Sequence, residues 1–142
     1  LHGSAQPPVS QRLIGWYLYR YGLRGYLVWA VNSWPEDPWT SPPSQKDAGR
    51  RGVFFYPDPQ TGLPLPTVRL ESLRRGWEDY LYLDMFAKAH QRGAVPDEVF
   101  RRVQEKFIRL TANLGAMSPA ANWADLEELR LEMGEALNRT AQ

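Results

Sequence analysis

The chain has 142 residues, is 43% hydrophobic and 13% aromatic, and contains no cysteine. Seventeen basic against sixteen acidic residues leave a net charge of +1, so no whole-chain field draws in nucleic acid or an anionic membrane, and neither is expected as a partner. The missing cysteine excludes disulfides, thiolate nucleophiles and cysteine metal sites; it is compatible with a secreted or periplasmic protein but assigns no compartment. No apolar run approaches the ~20 residues of a membrane span, and the chain opens on Leu1 without a leader-like pattern, so a soluble chain that has been processed or truncated is expected.

Val9 to Tyr21 carries Leu13, Ile14, Trp16, Tyr17 and Tyr21 on about one helical face, and Gly22 and Gly25 end that helix. Tyr26-Leu-Val-Trp-Ala-Val31 then forms an apolar run without polar alternation, the pattern of a parallel strand covered on both faces. Helix, short glycine turn and buried strand make an αβ unit, the half-repeat of wound sheets and barrels. Such a strand needs neighbours, and the chain offers almost no other, so its partners are expected in a larger α/β sheet or barrel.

From Pro35 to Pro66 prolines, glycines and serines leave room only for brief regular pieces such as Val53 to Tyr56. A loop this long, with Trp39, Phe54, Phe55 and Tyr56 embedded in it, is expected to be ordered and to form a wall of a site. Pro66-Thr67 opens a second helix that runs to about Gln91, with Leu70, Leu73, Trp77, Tyr80, Leu81 and Met85 along one face and Gly93 past its end. A third helix, Pro96 to about Leu114, places Asp97 and Glu98 at its positive end and buries Val99, Val103, Phe107 and Leu110. A last helix follows Asn122, a cap with Asp125 three residues on, and aligns Leu126, Leu129, Met133 and Leu137. The division expected is 1–92, holding the last αβ unit, rim loop and final barrel helix, and 93–142, a helical pair packed on it.

A strand end that carries flat rings and an amide suits a sugar, because the C–H face of a pyranose lies on an aromatic ring while polar groups fix its rim. Trp29, Asn32, Trp34, Trp39 and Tyr56 are the candidate substrate-binding residues, although Trp29 and Trp77 also fit a core role on their apolar faces. Three acidic pairs, Glu78-Asp79, Asp97-Glu98 and Glu127-Glu128, fall within helices. Neighbours there point about 100° apart and cannot flank one bond, so solvated faces or helix starts are expected. Glu71 and Arg74, three apart, read as an ion pair. His2 and His90 suggest no metal site, and Gly49-Arg-Arg-Gly52 lacks the lysine and hydroxyl of a phosphate loop. No catalytic residue, metal or cofactor is assigned.

Four blocks in order, Trp29-Ala-Val-Asn-Ser-Trp34, Gly52-Val-Phe-Phe-Tyr-Pro57, Pro66-Thr-Val-Arg-Leu-Glu-Ser-Leu-Arg74 and Gly76-Trp-Glu-Asp-Tyr80, resemble the C-terminal part of the catalytic domain of glycoside hydrolase family 123. The resemblance covers about Val9 to Leu83. It implies a (β/α)8-type barrel with Gly25 to Val31 as a late strand and the following loop as part of the sugar-binding rim. It also implies a β-linked N-acetylhexosamine glycan, of the N-acetylgalactosamine type, as substrate. The substrate's acetamido group would attack the anomeric carbon in a retaining reaction, oriented by an Asp-Glu pair that supplies the acid/base.

In the family that pair sits on an earlier strand; Asp97-Glu98 opens a trailing helix and follows no apolar strand, so it is rejected for the role. Arg51 departs from the family pattern, which usually has an acidic residue between the two glycines. Arg69 and Glu71 are expected to brace the loop against the helix. The fold expected is therefore α/β, the C-terminal portion of a barrel, predominantly helical in this chain, with one or two short strands. It is expected to be inactive alone and completed by the remainder of the parent barrel or by another copy of the chain. The alternative is a non-catalytic helical module that binds a carbohydrate or another protein.

Overall fold

The computed structural model describes residues 8–28, 30–33, 37–40, 53–112 and 122–139. Within them are four helices, α1 (Pro8–Arg20), α2 (Val68–Gln91), α3 (Asp97–Leu110) and α4 (Trp123–Arg139). Between α1 and α2 lie two three-residue strands, β1 (Phe55–Pro57) and β2 (Pro64–Pro66), which pair antiparallel with Tyr56 opposite Leu65. The fold is thus mostly helical with one short ribbon.

Each helix end has a local cause. Pro8 suits the first turn of α1, where its missing N–H would have no intrahelical partner. Thr67 caps α2 by accepting from Leu70 N at 3.4 Å, and its hydroxyl donates to Val53 O at 3.3 Å. Asn122 and Asp125 cap α4 reciprocally: Asn122 Oδ1 accepts from Asp125 N at 2.9 Å, and Asp125 Oδ2 accepts from Asn122 N at 3.3 Å. Gly93, with φ of 74°, turns the chain out of α2, a left-handed conformation that glycine adopts at little cost.

α1 is buried from Ser10 to Leu18, on every side rather than along a stripe. It crosses α2 where Gly15 meets Gly76: a Cβ on Gly76 would stand 2.3 Å from Arg12 O, and one on Gly15 1.9 Å from Gly76 O. Only hydrogen at both positions lets the two backbones touch. One core then joins α1 to the other helices, with Leu13, Trp16, Leu83, Phe86, Val103, Phe107, Leu126 and Met133 among its members. Trp16 stacks on Phe107 at 5.9 Å and Phe86 on Phe100 at 5.7 Å. α3 and α4 are further tied by Lys106, which donates to Glu132 at 2.8 Å and to Glu128 at 2.9 Å, and by Arg102 on Glu132.

Two expectations are corrected. Residues 25–28, 30 and 31 carry no strand, and Leu27 is 85% exposed, because no described segment lies alongside to complete a ladder. Val31 O ties the end of this stretch to the ribbon, accepting from Phe54 N at 2.8 Å and from Phe55 N at 3.3 Å. The apolar stripe foreseen for α2 is also turned: Trp77, Leu81 and Met85 are exposed, while Ser72, Gly76, Asp79, Leu83, Phe86 and Ala89 are buried. The glycine crossing fixes the rotation of α2 and places the small and acidic face inward. α3 ends at Leu110, short of the expected Leu114, which lies outside the described residues.

Candidate functional site

The ribbon β1–β2 and the end of the extended stretch enclose an open cleft of about 390 Å³, lined by Val31, Asn32, Phe55, Tyr56, Pro57, Gly62 and Pro64. Its walls are set by local chemistry. Asp58 N donates to Leu63 O at 2.7 Å, Gly62 N to Asp58 O at 2.8 Å, and Asp58 Oδ1 accepts from Gln60 N at 2.7 Å, which closes the turn between the strands. The Gln60 N–H holds the exposed Asp58 carboxyl below its ordinary pKa. Pro57, Pro64 and Pro66 have no N–H to offer, so the ribbon's edges are poor templates for a further strand.

Trp39 is brought to this cleft from a separate turn. Asp37 accepts from Trp39 N at 2.9 Å and from the Thr40 hydroxyl at 2.5 Å, with Thr40 the larger cause of its lowered pKa. The indole Nε1 donates to Pro57 O at 2.8 Å, and the ring lies 5.2 Å from that of Tyr56, tilted 45°. With its N–H engaged, the half-exposed indole presents only its π surface to a ligand. The cleft and its flank therefore combine two adjoining rings with the Asn32 amide. Such a set can stack a sugar and hydrogen-bond its rim, and among the described residues it includes no carboxylate or imidazole.

Of the five residues singled out in the sequence, Asn32 and Tyr56 line one cleft and Trp39 packs on Tyr56, whereas Trp29 and Trp34 lie outside the described residues. Arg51 lies outside them as well. Glu71 accepts from Arg74 Nε at 2.9 Å within its own helix, the ion pair expected from their spacing.

A second polar centre was not foreseen. Asp79, expected on a solvated face, is completely buried. It accepts from Arg12 Nε at 2.6 Å and Nη2 at 3.1 Å, from Trp16 Nε1 at 2.8 Å and from Arg130 Nη1 at 3.2 Å. Arg12 is equally buried; its Nη1 donates to Glu127 Oε1 at 2.6 Å, and its guanidinium lies 4.7 Å from the Trp123 ring centroid. Arg130 also holds Glu78, at 3.1 Å, and lies over Tyr82. Burial pulls the Arg130 pKa down, but Asp79 and Glu78 outweigh this and hold it above its ordinary value. With both carboxylate oxygens held by two guanidiniums and an indole, Asp79 makes this centre a clamp between helices. The sequence signal for it was the pair of mid-helix glycines, Gly15 and Gly76, which mark close helix contact.

Three members of the remaining acidic pairs are also engaged elsewhere. Glu127 binds Arg12 and Glu128 binds Lys106, while Asp97 reaches His90 at 2.9 Å from the start of α3. Among the described residues, no carboxylate lines the cleft.

The family model for the glycoside hydrolase 123 catalytic domain matches residues 4–86. The chain belongs to glycoside hydrolase family 123. No curated protein and no solved structure matches it. The region matched to the glycoside hydrolase 123 catalytic domain takes in α1, the cleft and most of α2, so Asn32, Trp39, Tyr56 and Asp79 all fall inside it, whereas α3 and α4 fall beyond it.

Proposed function

We propose that this chain is the C-terminal portion of a family 123 barrel and supplies part of its sugar-binding rim, acting on β-linked N-acetylgalactosamine by the substrate-assisted retaining route. The carrying observation is the meeting of Asn32, Tyr56 and Trp39 around one open cleft inside the matched region. In this reading Trp39 and Tyr56 stack on the sugar and the Asn32 amide holds a hydroxyl or the acetamido group. Trp29 and Trp34 extend the same rim. The Asp-Glu pair that orients the acetamido group and transfers the proton lies outside this chain. The occupied carboxylates described above support that assignment.

The exposed apolar surface supports the barrel half of the reading. Leu27, Val31, Trp77, Leu81 and Met85 are all exposed, and apolar surface of this kind is costly unless something covers it. The remaining strands of the barrel are the proposed cover. On the domain scale, 1–92 then forms the last αβ unit, rim and closing helix, and 93–142 a helical pair that buttresses it.

The test is an assay of the chain alone on an aryl N-acetyl-β-galactosaminide, with a parallel titration by methyl N-acetyl-β-galactosaminide followed through tryptophan fluorescence. Weak saturable binding without turnover is expected, with affinity reduced about tenfold in Tyr56→Ala, the equivalent of ~1.4 kcal/mol. Turnover by the chain alone would remove the claim that the carboxylates lie elsewhere, and unaltered binding in Tyr56→Ala would remove the cleft from the rim.

A further inference from the structure

Where β2 runs into α2 lies a second cleft, of about 430 Å³, whose lining includes Pro66, Thr67, Glu71, Arg74, Arg75 and Trp123. We propose that it is a second sugar-binding platform, which takes a neutral pyranose of the same glycan with Trp123 as its stacking surface and Arg75 as its hydrogen-bonding wall. The inference rests on the reading of the first cleft as a saccharide site, and it goes beyond the matched region, since Trp123 lies past residue 86.

Three observations carry it. The Trp123 ring is held by the Arg12 guanidinium at 4.7 Å, and Arg12 is itself immobilised by Asp79 and Glu127, while Trp123 lines the cleft and stays 38% exposed. A ring already held in place loses little freedom when a sugar lies on it. The polar neighbours then select the kind of ligand. Arg12, Arg74, Arg75 and Arg130 stand against Glu71, Glu78, Asp79 and Glu127, four positive against four negative, so the cluster offers an anion no net field. A neutral polyol needs none.

Donor capacity points to the same residue. Arg74 is engaged by Glu71 and Glu78. Among the described residues Arg75 has one ion pair, 3.6 Å to Glu127, and that carboxylate is already bound by Arg12 at 2.6 Å. The Arg75 guanidinium therefore retains N–H donors for hydroxyl oxygens beside the ring. Finally, the two clefts share a wall: Pro64 lines the first and Pro66 the second, two residues along β2, or roughly 7 Å at the rise of a strand. Adjoining units of one oligosaccharide can span that separation.

The indole N–H signals of Trp39 and Trp123 in ¹⁵N-labelled full chain are separate reporters of the two clefts. The chain is titrated with methyl N-acetyl-β-galactosaminide and then with the neutral disaccharide N-acetylgalactosaminyl-β-1,3-galactose. The expected result is that the monosaccharide moves Trp39 alone, while the disaccharide moves both signals and binds about tenfold tighter. Trp123→Ala uncovers Arg12 and could unfold the chain, so the deciding variant is Arg75→Gln, at a half-exposed side chain. It should abolish the disaccharide's advantage and leave monosaccharide affinity unchanged. A disaccharide that moves Trp39 but not Trp123 overturns the second platform and leaves the first cleft standing. Movement of Trp123 with Trp39 silent overturns the first cleft and with it the reading of the two as one glycan's platforms, and silence of both overturns the two together.

Discussion

The helical junction and the rim of this chain are built on opposite terms. At the junction α1, α2 and α4 meet with backbones in contact, no exposed atom on Arg12 or Asp79, and every polar group of that pair engaged. Among the described residues of the segment between α1 and α2, apolar side chains such as Leu27 and Leu63 face water. Its described part is tied down by the hydrogen bonds that Val31 O and Phe54 O accept from Phe54 N and Thr67 N, and by the buried Val53 and Phe54. Stability is concentrated in the first region, and the surface open to a ligand or to other strands in the second. Such a division is expected where a rigid scaffold carries a variable recognition loop.

The sharpest way to break that comparison is Asp79→Ala. It leaves the buried Arg12 and Trp16 donors without their acceptor and should cost about 3–5 kcal/mol in urea unfolding. Replacing both charges with apolar residues, Arg12→Met with Asp79→Leu, should recover most of the loss. A cost below ~1 kcal/mol for Asp79→Ala would show that the junction is not where stability resides. Gly76→Ala comes next: the added methyl meets a backbone carbonyl that cannot swing aside, so a loss of about 3 kcal/mol is expected by the same measurement.

Glu132→Gln at the α3–α4 contact should cost about 1 kcal/mol near neutral pH. Burial pushes the Glu132 pKa up, but the hydrogen bonds from Lys106 and Arg102 outweigh it and hold the group below its ordinary 4.5. A depressed carboxylate contributes stability above the unfolded value and loses it as pH falls through the folded one. The difference in Tm between wild type and Glu132→Gln should therefore close below about pH 4.5. A gap that persisted in acid would assign the effect to shape instead of charge.

The smallest change sharpens the comparison from the other side. Leu27→Ser, at an 85% exposed position, should shift stability by less than ~0.5 kcal/mol. A loss above ~1.5 kcal/mol would mean that the rim stretch is covered in solution, by another copy of the chain.

Much of the helical half was legible because its elements obey local rules: the Asn122–Asp125 cap, the Pro and acidic start of α3, and the Val103, Phe107 and Leu110 stripe all fall where spacing places them. The rotation of α2 was not. Its most apolar stripe reads as core, yet a contact with Gly15, 61 positions earlier in the chain, decides which face turns inward. The same distance hid Asp79, since an Asp on a helix looks solvated until its arginine is known. The run from Tyr26 to Val31 has the composition of a buried strand, but composition states only that the run wants neighbours and supplies none. Asn32, Trp39 and Tyr56 could be named from residue chemistry; that they meet depends on the Trp39–Pro57 bond and the ribbon turn, which spacing does not reveal.

The contact between Gly15 and Gly76 also bears on how such a chain can change over generations. It closes the intervening segment into a loop whose ends are pinned by backbone contact, independent of anything the segment itself does. The entropy of closing a flexible loop grows only logarithmically, about 0.6 kcal/mol for each doubling of its length. A change of length between the two glycines therefore adds little to the cost of closing that loop, while the glycines keep the helices in register.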